Sequence, residues 1–258
     1  MFENLNTLED LCLDTICDNI LTYIETQIKT RDGDWKKLAS LDDYDDEIEK
    51  RYVLRDPDIF LINEISEKLL KKLVEKGLLC DATLSIFTGR NTKLKHVKLK
   101  NCKVSKKGLN ILKQHKIVDL ECISLKNNVN ISQILDCLNE WSVRNMISAN
   151  FSKCSFIDMY RHSYMVEITN LKNLRSLNLS YTELNQTIFK IICDDLKHLE
   201  KLDVSGTLIV DLRPLTMLSS TLISLSLCDL PRAEYLLPTL EQLKLLRYLD
   251  ISFFNEKA

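Results

Sequence analysis

Catalysis in this chain would have to come from thiols, imidazoles or carboxylates. Nine cysteines, at positions 12, 17, 80, 102, 122, 137, 154, 193 and 228, form no CxxC pair, and several lie inside apolar runs. An odd set of this kind reads as reduced, buried thiols, not as a disulfide framework. The four histidines, His96, His115, His162 and His198, lack zinc-site spacing, and none stands with Cys or Glu in a recognised motif. His96 with Cys122 would be the cysteine-hydrolase pair to consider, yet no orienting third group or oxyanion site accompanies it. The acidic run SLDDYDDEIEKR, residues 40–51, lacks the glycine turn and ligand spacing of a calcium loop. It reads as a solvated loop or helix. The chain is therefore expected to be non-catalytic, with no cofactor and no metal.

Composition narrows the partners further. Thirty-five basic side chains against 37 acidic ones give no field that would recruit nucleic acid or an anionic membrane. Trp35 and Trp141 stand outside any basic, aromatic-rich patch and read as packing or loop anchors. Only 5 glycines are present and no phosphate-cradling loop. Glu3, Glu9 and Asp10 occupy the place of a signal peptide's basic and apolar regions. No apolar stretch approaches the roughly 20 residues that span a bilayer. The expectation is a soluble chain of the cytoplasm, the nucleus or both.

The elements that position these residues are legible as repeats. LKHVKLKNC, LECISLKNN, MISANFSKC, LRSLNLSYT, LEKLDVSGT, LISLSLCDL and LRYLDISFF share one frame, LxxLxLxx(C/N/T), starting at Leu94, Leu120, Met146, Leu174, Leu199, Leu222 and Leu246. This phasing is the signature of a leucine-rich repeat, in which a short strand supplies inward leucines and the remainder returns over the convex side. The fold class is α/β: a leucine-rich repeat solenoid of about seven repeats over residues 81–258. GLNILKQH and ISQILDCLNE have the apolar spacing of return helices. Side chains between the leucines face the concave side, among them His96, Lys98, Lys100, Lys126, Asn150, Asn178, Asp203 and Tyr248. With Cys122, Ser124 and Lys126 as the second row, the first two rows are basic and would suit an acidic peptide of a protein substrate.

Residues 1–80 read as a helical docking region with the acidic run as an insert. Leu8, Leu11, Cys12, Thr15, Ile16, Ile20, Tyr23 and Ile24 recur at three- and four-residue steps, and Asn6 with Glu9 suits a capping box. A second amphipathic helix runs from about Pro57, after a possible Asp56 cap, to Gly77, with Leu61, Ile65, Leu69 and Leu73 on one stripe.

Thr7, Leu8, Cys12 and Ile16 fit the spacing of a small residue, Leu, Cys and an aliphatic residue that resembles the elongin-binding BC box of cullin-RING receptor subunits. Leu8, Leu11, Cys12 and Ile16 share one face, and a small thiol there permits close approach of a groove. The order LEDLCLDTICDNI, INEISEKLLKKLVEKGLL and DATLSIFTGRNTKLKHVKLKNCKVS further resembles the N-terminal half of the ZYG-11/ZER-1 family, substrate receptors of cullin-2 RING ubiquitin ligases. GLLCDATLSIFTG, 77–89, is the most specific segment. The resemblance implies that Leu8, Cys12 and Ile16 contact elongin C, which acts with elongin B. It implies that the helix carrying Leu61, Ile62, Ile65 and Leu69 touches cullin-2. Ile62 stands where the cullin-2 box has proline. Family members continue into an armadillo-like domain, which is absent from this sequence; Phe253 and Phe254 would then lie at an uncapped edge. The alternative expectation is a leucine-rich repeat scaffold outside the ligase, or a truncated competitor of complete receptors.

Overall fold

The computed structural model describes residues 7–30, 32–38, 49–56, 58–127, 129–156, 167–230 and 235–252. Asn6, Pro57, His162, Phe253, Phe254 and residues 40–48 of the acidic run lie outside them.

Helix α1 spans Leu8–Asp18. Its cap is Thr7, whose hydroxyl accepts the Asp10 N–H at 3.1 Å while the Asp10 carboxylate takes the Thr7 hydroxyl at 2.8 Å. The capping box thus uses Thr7 and Asp10, one residue beyond the expected pair. The expected run of helix to Ile24 stops at Asn19; a short 3-10 turn, Ile20–Tyr23, leads into strand β1, Ile24–Lys29. Strands β2, Trp35–Lys37, and β3, Lys50–Leu54, flank β1 in an antiparallel sheet of order β2-β1-β3. The region expected to be helical is therefore a helix, a three-stranded sheet and a second helix. Arg51 fastens the sheet's polar side, donating to Gln27 at 2.8 Å and lying 4.4 Å from the Trp35 ring centre.

Helix α2 covers Asn63–Glu75, starting after the extended Ile62 rather than near residue 57. It ends as expected at Gly77, whose φ of +68° suits a residue without Cβ. α1 and α2 lie side by side in the same direction. Glu9 pairs with Lys68 at 2.7 Å, Asp14 with Lys72 at 2.8 Å and Asp18 with Lys76 at 2.7 Å. Beside this ladder Leu13 and Cys17 enter the same core as Leu69, Leu70 and Leu73.

The remainder is a parallel sheet of seven strands in chain order: β4 His96–Lys100, β5 Asp119–Ile123, β6 Ser148–Asn150, β7 Ser176–Asn178, β8 Lys201–Asp203, β9 Ser224–Ser226 and β10 Tyr248–Asp250. Returns between strands carry short helices, among them Ile131–Leu135 and Gln186–Asp195, capped by Asn130 and Asn185. The GLNILKQH return is a one-turn helix, Lys106–Leu109, that tightens into a 3-10 turn, Asn110–Gln114. This is a mixed α/β, leucine-rich-repeat-like fold.

One frame is out of phase with the sequence reading. Val97 pairs with Leu120 and Leu99 with Cys122 across β4 and β5, so the second unit begins at Ile117, not Leu120. Leu120-x-x-Ile123-x-Leu125 mimics the frame, but parallel pairing places Leu120 and Cys122 inward, both fully buried. The outward row is Asp119, Glu121 and Ile123 rather than Cys122, Ser124 and Lys126. The remaining pairings keep the expected phase.

Each strand from β4 to β9 is followed within three residues by one in the left-handed region: Asn101, Ser124, Lys153, Tyr181, Gly206 and Asp229 respectively. The next residue often donates a side-chain hydrogen bond, within the bend or, for Cys154, to the preceding unit. Cys102 Sγ reaches the Lys100 carbonyl at 3.2 Å, Cys154 Sγ the Cys122 carbonyl at 2.9 Å, Thr182 Oγ1 the Leu179 carbonyl at 2.7 Å and Thr207 Oγ1 the Val204 carbonyl at 2.6 Å. The thiols here serve as compact donors to backbone carbonyls.

Candidate docking face and concave sheet

The stripe that carries the BC-box-like spacing is left open. Leu13 and Cys17 face the core, 3% and 1% exposed, so helical geometry turns Leu8, Leu11, Cys12 and Thr15 outward. Leu8 is 78% and Leu11 51% exposed. Cys12 is the single exposed cysteine of the nine. Thr7 is exposed too, but its hydroxyl is committed to the cap. Ile16 sits on the shoulder between the two faces and lines an apolar cavity of about 160 Å³ with Ile20, Tyr23, Leu61 and Leu69.

Charge fixes the helix's roll. The Thr7 hydroxyl holds the Asp10 carboxyl below the usual range, and the Lys72 and Lys76 ammoniums do so for Asp14. In return Lys68, Lys72 and Lys76 are held above the ordinary lysine value, by Glu9, Asp14 and Asp18 respectively in first place. The outer pairs are solvent-exposed and the Asp14–Lys72 pair is half-buried, so the worth of the outer pairs lies in orientation more than in free energy.

The four residues expected to touch a cullin separate by exposure. Ile62 is 58% exposed, as is its neighbour Phe60, which the sequence reading did not single out although DIFLI is an apolar run. Leu61 and Ile65 are half-buried against the core. Leu69 is 1% exposed: its side chain is internal packing and is closed to a partner in this conformation.

On the concave sheet the corrected register reverses an expectation. His96 Nδ1 lies 3.6 Å from Asp119 and Lys98 Nζ 2.6 Å from Glu121. The second row is acidic and pairs with the first, so two of the basic residues expected to receive substrate already have carboxylate partners. Asn150, Asn178 and Asp203 accept the backbone N–H two residues on, at Ser152, Ser180 and Ser205, at 3.0, 2.8 and 3.0 Å. Asn178 also donates to Asp203 at 3.0 Å. These three side chains pin the turn after each strand. Asp250 repeats the device with Ser252, which together with Cys228 holds its carboxyl down at about 2. Lys100, Lys126 and Tyr248 remain exposed.

The His96–Cys122 pair does not assemble. Cys122 faces the core opposite Leu99, and burial pushes its thiol well up. His115 is buried as well: Nδ1 accepts the Leu94 N–H at 3.2 Å and Nε2 lies 2.7 Å from the Phe87 carbonyl. Both nitrogens are satisfied by the neutral Nε2–H tautomer. His198 is exposed beside Arg175. Lys116 covers the Trp141 ring at 5.4 Å, in line with an anchoring role. Among the described residues no cluster of His, Cys, Asp and Glu could hold a metal ion, and no helix is long and apolar enough to cross a membrane.

No family model matches the sequence. Among solved structures the chain is similar to an internalin, InlF, from Listeria monocytogenes strain 4b F2365, at 17% identity and a TM-score of 0.45. The match covers 62% of this chain and 47% of the internalin, so the chain spans about half that protein's length.

Proposed function

We propose that the chain is a non-catalytic substrate-receptor subunit of a cullin-2, elongin B/C ubiquitin ligase, with α1 as its elongin C-binding BC box and a seven-repeat solenoid presenting the substrate. One observation carries the reading: the core takes Leu13 and Cys17 and leaves Leu8, Leu11 and Cys12 in solvent. An N-terminal helix whose only task was to cap the repeats would bury its apolar stripe, whereas this helix has a second one to spare. Helix-in-groove recognition uses such a stripe, with anchors at three- and four-residue spacing.

The test is co-purification with elongin B and elongin C, comparing the native chain with the Leu8→Lys, Cys12→Phe double substitution. A stable complex that the substitutions abolish, with the fold retained, supports the reading. Absence of a complex with the native chain sinks it.

A second reading, a leucine-rich repeat scaffold outside the ligase, draws on the cullin half of the region. Leu69 is internal and Ile62 replaces the expected proline, so the cullin contact has less to work with than the elongin contact. Elongin binding without cullin-2 recruitment would favour this second reading.

A further inference from the structure

A groove of about 560 Å³ runs between the end of α1 and the bends of the first two repeat units. Its repeat-side wall carries Lys100, Lys103 and Lys126; its other wall carries the aliphatic side chains of Leu21 and Leu78, 64% and 38% exposed. The backbone gathers the three lysines. Lys103 bridges to Cys80, Lys100 ends β4, and the Lys126 N–H donates to the Cys102 carbonyl at 3.0 Å.

These lysines differ from their neighbours. Lys98 is matched by Glu121, Lys106 by Asp136 and Lys76 by Asp18, each within 2.8 Å. Among the described residues no carboxylate pairs with Lys100, Lys103 or Lys126. Asp18, the acidic residue on the opposite wall, is already engaged by Lys76. Three uncompensated ammoniums in one recess raise the local potential for an anion. The exposed leucines opposite ask for an apolar face on the same ligand.

We infer that this groove binds an acidic-aliphatic peptide segment, its carboxylates on Lys100, Lys103 and Lys126 and its aliphatic side chains on Leu21 and Leu78. The proposal rests on the receptor reading only for the role of that segment as the substrate's recognition element. A nucleic acid is the poorer occupant: the basic stretch is short, no aromatic ring lines it, and the adjoining concave rows are charge-matched. The corrected register sharpens the site, because it moves acceptance of an acidic peptide from the concave strands to the bend beside α1.

The experiment uses the full chain without elongin, so that it is independent of the elongin test. A short fluorescein-labelled peptide of alternating Glu and Leu is titrated by anisotropy. The native chain is compared with the triple variant Lys100→Glu, Lys103→Glu, Lys126→Glu and with a control of equal charge change, Lys93→Glu, Lys190→Glu, Lys201→Glu. The groove variant is expected to lose at least about tenfold in affinity, a few-fold per lost ion pair, and the control to bind as the native chain does. Leu21→Ser is expected to weaken binding several-fold while leaving its salt dependence unchanged. Equal loss in both triple variants, no binding by the native chain, or tighter binding of a single-stranded oligonucleotide overturns the proposal. Circular dichroism of each variant separates loss of the groove from loss of the fold. Peptide binding that survives failure of the elongin test would leave the groove standing and the ligase reading fallen.

Discussion

Helix α1 offers two leucine substitutions whose effects should be opposite. Leu8 and Leu11 are 78% and 51% exposed, while Leu13, on the same helix, is 3% exposed. Burying a leucine fully is worth about 1.5–3 kcal/mol. Closing a partner over the exposed portions of Leu8 and Leu11 would then contribute about 2–4 kcal/mol; alanine keeps its methyl, so replacing both would cost about 2–3 kcal/mol, a loss of roughly 30- to 150-fold in affinity. Stability should hardly change, within about 0.5 kcal/mol, since neither side chain contributes to the core. Leu13→Ala should do the reverse to the fold, costing about 2–5 kcal/mol as a buried large-to-small change. The assay is calorimetric titration of purified elongin B/C with each variant, beside urea unfolding of the same preparations. The reasoning is refuted if Leu8→Ala, Leu11→Ala destabilises the chain as much as Leu13→Ala, or if elongin binding is indifferent to it.

Three further outcomes are expected. Cys12 should be the first of the nine cysteines to react with iodoacetamide in the native chain, read by peptide mass spectrometry, and elongin B/C should slow it; fast labelling at Cys17 or Cys122 would contradict the burial described above. His115 is held below its ordinary value of 6.5 mainly by burial; the neutral form's stabilisation is therefore present above that pH and lost as pH falls through 6.5 toward the folded value, because the unfolded chain takes the proton first. Denaturant unfolding at successive pH values should show this decline, and His115→Gln should flatten it. Gly206 is left-handed, with φ +62°, and a Cβ there would strike the Tyr181 ring. Gly206→Ala should cost about 1–2 kcal/mol or more in the same assay, and an unchanged midpoint would count against the described bend.

The repeats were legible because inward leucines recur in a frame that few other folds produce. The second unit was misphased because LECISL happens to satisfy the same frame three residues late, and only pairing with β4 separates the two. That shift alone turned an apparent basic surface into a matched one. The small antiparallel sheet escaped notice for a related reason: Ile20, Tyr23 and Ile24 continue the helical steps of α1, although the chain has already turned at Asn19. Leu69 shared a stripe with Leu61 and Ile65 on paper, yet a stripe does not say how deep each member lies. The roles of Asn150, Asn178 and Asp203 were equally hidden, since a concave position does not reveal that a side chain is holding its own backbone.

On the proposed docking role, the ladder between α1 and α2 would have a kinetic meaning as well. A free peptide of α1's length would spend most of its time unwound, because the first helical turn is unfavourable to form and short helices in water are marginal. Such a peptide would have to become ordered at the moment of capture and would lose affinity for doing so. Rooted through Leu13, Cys17 and the Lys68, Lys72 and Lys76 pairs, the same residues would meet the proposed partner's groove already wound and already turned outward. Association would then be limited by encounter and orientation, and the residence time would be governed by how well Leu8 and Leu11 fit.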